Sequence, residues 1–271
     1  MEMKKLLLFF CVATALMSCK KDSVTYDESK LSDLKVKFDH VVGNRTLQLN
    51  TSTYSNAVGE QFTISQLMYF VSNIKVTNKN GKVYTIPQDQ SYFLVKEHDA
   101  ATKSFIVKVP EGEYTKLEFM VGVDSLRSTM DISRRTGVLD PANLTGAEKM
   151  YWNWNTGYIF WKMEGTSPQA PVDPSGNRNF RFHIGLYGGF STPTINNTRV
   201  VSIDLAPVGT AKVITGKMPA IHLIHDVLRG INGSPNISFA SNPTIMVTDF
   251  SRHLANNYVN AFMHDHTHAN D

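Results

Sequence analysis

Tyr69-Phe70-Val71-Ser72-Asn73-Ile74-Lys75-Val76 and Lys82-Val83-Tyr84-Thr85-Ile86 flank the pair Asn80-Gly81. Both residues of that pair tolerate positive φ, which a tight two-residue turn demands, so the flanking runs predict an antiparallel hairpin. The same grammar extends in both directions. Upstream, Leu34, Val36 and Phe38 alternate with Lys35, Lys37 and Asp39, and His40 falls in phase with the apolar set. A period of two residues marks a strand buried on one face. Further strands are predicted over 92–96, 105–109, 117–123, 158–163, 180–186, 200–205, 212–215 and 244–248. Many short strands at this spacing predict an all-β fold, a β-sandwich of antiparallel strands, read as one domain over 31–271. Two short helices are expected, over 220–229 and over 252–263, the second behind a Ser251 cap with Leu254, Tyr258 and Phe262 repeating every four residues. Residues 165–179, rich in Pro, Gly and Ser, predict a loop.

Composition narrows the chemistry. The chain has 271 residues, of which 42% are hydrophobic and 19% charged, enough for a packed core and unlike a disordered chain. Its net charge of +3 is scattered, without the clustering that nucleic-acid binding requires. Both cysteines, Cys11 and Cys19, stand at the N-terminus. The rest of the chain therefore has no disulfide framework, thiolate metal site or cysteine nucleophile.

Residues 1–18 have the tripartite form of a secretory signal: Lys4-Lys5, the apolar run from Leu6 to Leu16, then Met17-Ser18. The ending Leu16-Met17-Ser18-Cys19 resembles a bacterial lipobox, which makes Cys19 the lipidation site. Acyl chains there would hold the protein to a membrane, with residues 19–30 as a tether. The expected location is the cell envelope, as an outer-membrane lipoprotein facing the periplasm or the cell surface.

Three clusters could carry chemistry. His264-Asp265-His266-Thr267-His268 places histidines at alternate positions, so on an extended strand they point one way and can converge on an ion. A solvated tail is the competing reading. Tyr151-Trp152-Asn153-Trp154-Asn155-Thr156-Gly157-Tyr158-Ile159-Phe160-Trp161 holds all three tryptophans of the chain. Phe180-Arg181-Phe182-His183-Ile184-Gly185 sets His183 opposite its apolar neighbours. His222 and His225, read at helical spacing beside Asp226, could bind a metal, but a helix-surface or structural role is the preferred reading.

Met150 to Phe160, Glu164-Gly165 and Phe182-His183-Ile184-Gly185 together resemble the MbnP-like family of periplasmic copper-binding proteins. Phe38-Asp39-His40, Gly122-Val123-Asp124-Ser125, Gly137-Val138-Leu139-Asp140-Pro141 and Asn257-Tyr258 agree with that resemblance, which spans about 34–268. It implies a β-rich export-compartment protein whose cofactor is copper. It also implies a site that combines histidine nitrogens with a tryptophan oxidised to kynurenine by a partner di-haem peroxidase of the MbnH type. On these residues the expected ligands are His40, His183, His266 and His268, two or three at once, beside Trp152 or Trp154. A TonB-dependent transporter is a further expected partner. Relatives with paired cysteines in this region differ, since this chain has none there.

Imidazole nitrogens suit copper above the other divalent first-row metals. Catalysis is not expected, because no zinc-protease helix, nucleophile elbow or phosphate-cradling loop is present. The expected function is copper acquisition, storage or delivery. The alternative is a non-catalytic lipoprotein that binds a glycan or protein on exposed aromatic rings.

Overall fold

The computed structural model describes residues 24–153 and 157–271. The export signal, Cys19 and Trp154 lie outside the described residues. The strands are β1 (Asp27–Val42), β2 (Arg45–Thr46), β3 (Tyr54–Ser55), β4 (Gln61–Asn78), β5 (Val83–Thr85), β6 (Tyr92–Lys96), β7 (Ser104–Val121), β8 (Tyr151–Trp152), β9 (Gly157–Thr166), β10 (Asn179–Gly185), β11 (Arg199–Asp204), β12 (Ala211–Val213), β13 (Ala220–Asp226), β14 (Thr244–Ile245) and β15 (Phe262–His268). The helices are α1 (Ser125–Thr129), α2 (Val227–Ile231) and α3 (Ser251–Tyr258).

The predicted hairpin is β4 and β5, paired Lys75↔Thr85, Val76↔Tyr84 and Thr77↔Val83. Gly81 sits at φ +82°, where a Cβ is strained although nothing crowds it. Gly81→Ala is expected to cost about 1 kcal/mol, read as a lower urea midpoint at unchanged slope.

The hydrogen-bonded order β14-β10-β9-β4-β7-β1-β13-β15 is mixed, because β1 pairs with β13 in parallel and β10 with β14 in parallel. The long β7 pairs with β1 through its first half and with β4 and β11 through its second. It carries the sheet from one layer of the sandwich into the other. The runs predicted over 105–109 and 117–123 are thus one strand. Between the layers, Phe38 packs edge-on against Tyr69, Phe119 and Phe262. A second apolar cluster, including Phe70, Trp152, Tyr158 and Phe160, covers the outer side of β4 and β9.

Four expectations are corrected. The segment 220–229 is not one helix: it is β13, then the short α2 behind Asp226, whose carboxylate accepts from the Leu228 amide. Parallel pairing sets Val36↔Ile221, Phe38↔Leu223 and His40↔His225, so alternate residues of β13 enter the core beside the core face of β1. Burial of that face outweighs local helix preference. The second helix stops at Tyr258 and gives way through a 3-10 turn to β15. Ser251 is not a cap either; it is buried, and its hydroxyl accepts from the Asn197 amide. At the other end, β1 already begins at Asp27, inside the segment read as a tether, by pairing with Glu111.

Candidate metal centre

The outermost strand pair of the path, β13 and β15, builds the site. Along β13, Ile221, Leu223 and His225 face the core, which leaves His222 on the other face. Antiparallel pairing then runs His225↔Phe262, Ile224↔Met263 and Leu223↔His264, but His222↔His266. Asp265 is therefore an extra residue, a β-bulge, and a bulge reverses which face the following residues occupy. Phe262 stacks on His225 inside the sandwich, with ring centroids 4.3 Å apart. Beyond the bulge, His266 and His268 emerge on the outer face beside His222.

There the three rings lie together. Centroids are 4.3 Å apart for His222 and His266, 4.8 Å for His222 and His268, and 4.7 Å for His266 and His268. One ligand nitrogen from each falls within 4.8 Å of the others. Three nitrogens about 2.0 Å from one ion would stand roughly 3.3 to 3.5 Å apart, so small side-chain rotations close the site. His266 Nε2 and His268 Nε2 are 2.8 Å apart, a hydrogen bond in which one ring donates to the other.

The surroundings prepare these rings as ligands. His266 Nδ1 donates to Asp265 at 2.7 Å, which fixes its tautomer and leaves Nε2 for an ion. His222 Nε2 is buried with no hydrogen-bond partner among the described residues. Burial, followed by the nearby His266 and Lys37, holds His222 below the usual histidine range, so it is neutral at neutral pH. Asp39 stands 3.8 Å from its other nitrogen. His222 is buried, His266 half-buried and His268 exposed, so the site is open to solvent on one side.

The structure divides the four expected ligands among three places. His266 and His268 join His222. His40 is not with them: it lies on the core face of β1, its Nδ1 2.5 Å from Glu97 and its Nε2 2.8 Å from Tyr69 Oη. His183 lies on β10 and bonds Glu164 at 2.6 Å. Burial works against the Glu164 charge, but His183 and Lys162 hold its carboxyl below the usual range. Trp152 is close to this strand, its ring set against Gly185. Among the described residues, Trp161 lies 6.4 Å from His225 between ring centroids.

The bulge also separates His264 from the other two histidines of the tail. It bonds Thr267 Oγ1 at 2.9 Å instead. His222, weighed as a possible ligand but left out of the expected set, was misplaced because helical spacing put it beside His225. Strand parity was the available signal: Ile221, Leu223 and His225 alternate with His222 as strictly as Val36, Phe38 and His40 alternate with Lys37.

The sequence profile of the MbnP family matches residues 31–247. The chain belongs to the MbnP family. Membership associates it with the methanobactin-related copper proteins. MbnP from Methylosinus trichosporium has a similar fold: the TM-score is 0.53 at 16% identity, covering 78% of this chain and 80% of that one. No curated protein sequence matches this chain. His40, His183, His222 and His225 fall inside the span of the MbnP match, and His266 and His268 beyond it.

Proposed function

We propose that this MbnP-family protein binds copper in the cell envelope, for acquisition, storage or delivery, and holds the ion through His222, His266 and His268. The convergence of three imidazoles with ligand nitrogens within 4.8 Å carries the reading. The donor set fits: with no thiol beyond Cys19, nitrogen ligands are what the folded part can offer, and they rank copper above its divalent neighbours. His222 supplies the fixed corner, since its strand is anchored on both sides by β1 and β15. His266 is oriented by Asp265. His268, at the open side, is the ligand a donor or acceptor molecule would displace first, which suits a protein that passes its ion on. Acylation of Cys19 would hold this surface at a membrane. Oxidation of Trp152 or Trp154 by a di-haem peroxidase, and docking to a TonB-dependent transporter, belong to the same reading.

Competitive titration with a copper chelator tests the ligand set. His266→Ala and His222→Ala are each expected to weaken copper binding at least tenfold, and His266→Ala/His268→Ala by about 100-fold or more. Affinity unchanged in all three would remove the assignment.

A further inference from the structure

Two runs that the histidine site leaves unused, Gly122-Val123-Asp124-Ser125 and Gly137-Val138-Leu139-Asp140-Pro141, lie on the segment that joins β7 to β8. That segment and the turn before β6 bound a cleft of about 440 Å³, lined by Asp89, Tyr92, Arg127, Arg134, Thr136 and residues 137–139. Arg127 is carried there by α1, whose Asp124 cap accepts from the Arg127 amide. Its guanidinium lies over the Tyr92 ring, 5.0 Å from the centroid. Arg134 and Thr136 are exposed on the same lining, and the Thr136 side chain caps no turn.

Arg127 is a buried cation with donors to spare. It is only 7% exposed. Nη2 donates to Asp89, Nη1 reaches the Met130 sulfur at 3.6 Å and the Arg134 carbonyl at 3.5 Å, and Nε has no partner among the described residues. Nε and Nη2 form one edge of the guanidinium, and such an edge takes both oxygens of a carboxylate in a forked pair. Asp89 holds it by one nitrogen only. Its side chain is 87% exposed, so this pair contributes little and opens easily. Asp124, the other carboxylate nearby, is already engaged, since its oxygens accept from Gln88, Tyr92, Asn73 and the Arg127 amide. Two guanidiniums therefore line the cleft against the single carboxylate of Asp89.

We propose that this cleft binds a small organic dicarboxylate, one carboxylate displacing Asp89 to bridge Nε and Nη2 of Arg127 and the other pairing with Arg134, with the Thr136 hydroxyl as a further donor. Asp89 shows the chemistry, because it is a carboxylate of the chain itself resting where the ligand would go. Once it swings into solvent, two guanidiniums remain, and two carboxylates balance them. A planar carboxylate also matches the fork of Arg127. The Tyr92 ring, Val138 and Leu139 give the carbon body of such a molecule an apolar wall, which an inorganic ion would leave wet. When the ligand departs, Asp89 returns, so the buried guanidinium is never left without a counter-charge. The cleft shares no residue with the histidine site and stands independently of it.

Isothermal titration of the metal-free full chain with succinate tests the proposal, with acetate, inorganic phosphate and sulfate for comparison. Succinate is expected to bind about tenfold more tightly than any of the three. Arg134→Gln, a change at an exposed side chain, is expected to weaken succinate about tenfold and bring it level with acetate. Arg127→Lys keeps the charge but not the fork, and is expected to weaken both acids about tenfold. Asp89→Asn acts the other way, tightening succinate about threefold by removing the carboxylate that competes for Arg127. That gain is expected to vanish when Arg127→Lys is added; a gain that persists would report surface charge alone and overturn the exchange. Should Arg127→Lys fail to fold, the opposite signs of Arg134→Gln and Asp89→Asn still decide. No binding of succinate, phosphate or sulfate bound as tightly as succinate, or succinate affinity unchanged in both exposed variants would overturn the site.

Discussion

Gly165→Ala is expected to remove about 4 kcal/mol of stability, close to a thousandfold fall in the ratio of folded to unfolded protein. Gly165 stands on β9 where that strand is paired on both sides, to Ile64 of β4 and Phe180 of β10. A Cβ there would lie 1.9 Å from the Thr63 carbonyl oxygen and 2.7 Å from Phe180 Cζ. The ring could turn at some cost. The carbonyl oxygen belongs to the β4 backbone, so it can retreat only by parting the strand pair that carries Trp161 and Met163 into the core. The contrast with Gly81→Ala isolates the cause, since Gly81 has an unfavourable φ and open space, whereas Gly165 has the crowding. Urea unfolding of both variants measures the difference. A loss below about 1 kcal/mol for Gly165→Ala would mean that β4 and β9 are far more loosely paired than their register implies.

The parts of this fold legible in the sequence are those set by neighbours along the chain. Asn80-Gly81 specified a turn, and alternation specified β6 and β10 nearly to the residue and the middle of β1, because strand burial repeats every second position. The all-β sandwich followed from those elements. What escaped depends on partners distant in the chain. The helix expected over 220–229 contains residues compatible with either period, and only pairing with β1 decides between them. His222 became a candidate ligand through a strand 44 residues further on, and the bulge at Asp265 that turns His266 and His268 toward it has no local signature. The tail histidines were recognised as a cluster, but their alternation suggested three on one face, and the extra residue splits them. His40 was recognised for its phase with Phe38, and that same phase buries it away from the tail. The MbnP resemblance, confirmed by the family match, pointed to copper without saying which imidazoles come together.

The pH dependence of stability follows from where those imidazoles lie. In the metal-free protein, burial and then the neighbouring His40 hold His225 well below the usual histidine range. Burial likewise lowers His222 and His264. A histidine with a depressed folded pKa binds fewer protons folded than unfolded, so the stability slope against pH is positive. Its contribution is fully present above the unfolded value of about 6.5 and is lost as pH falls toward the folded value. His225 alone is expected to cost about 2 kcal/mol between pH 7.5 and pH 5. Glu60, Glu97 and Glu164, all held below the usual carboxylate range, add a loss of the same sign, but only as pH falls through about 4.3 and below. The window between pH 7.5 and pH 5 therefore reports histidine. His225→Phe, which keeps a ring against Phe262, is expected to flatten the slope there while leaving the drop below pH 4.3 in place. Chemical unfolding at half-unit pH intervals, with a chelator present throughout, measures both limbs. Parallel curves for wild type and His225→Phe across the upper window would show that His225 is not held neutral in the core.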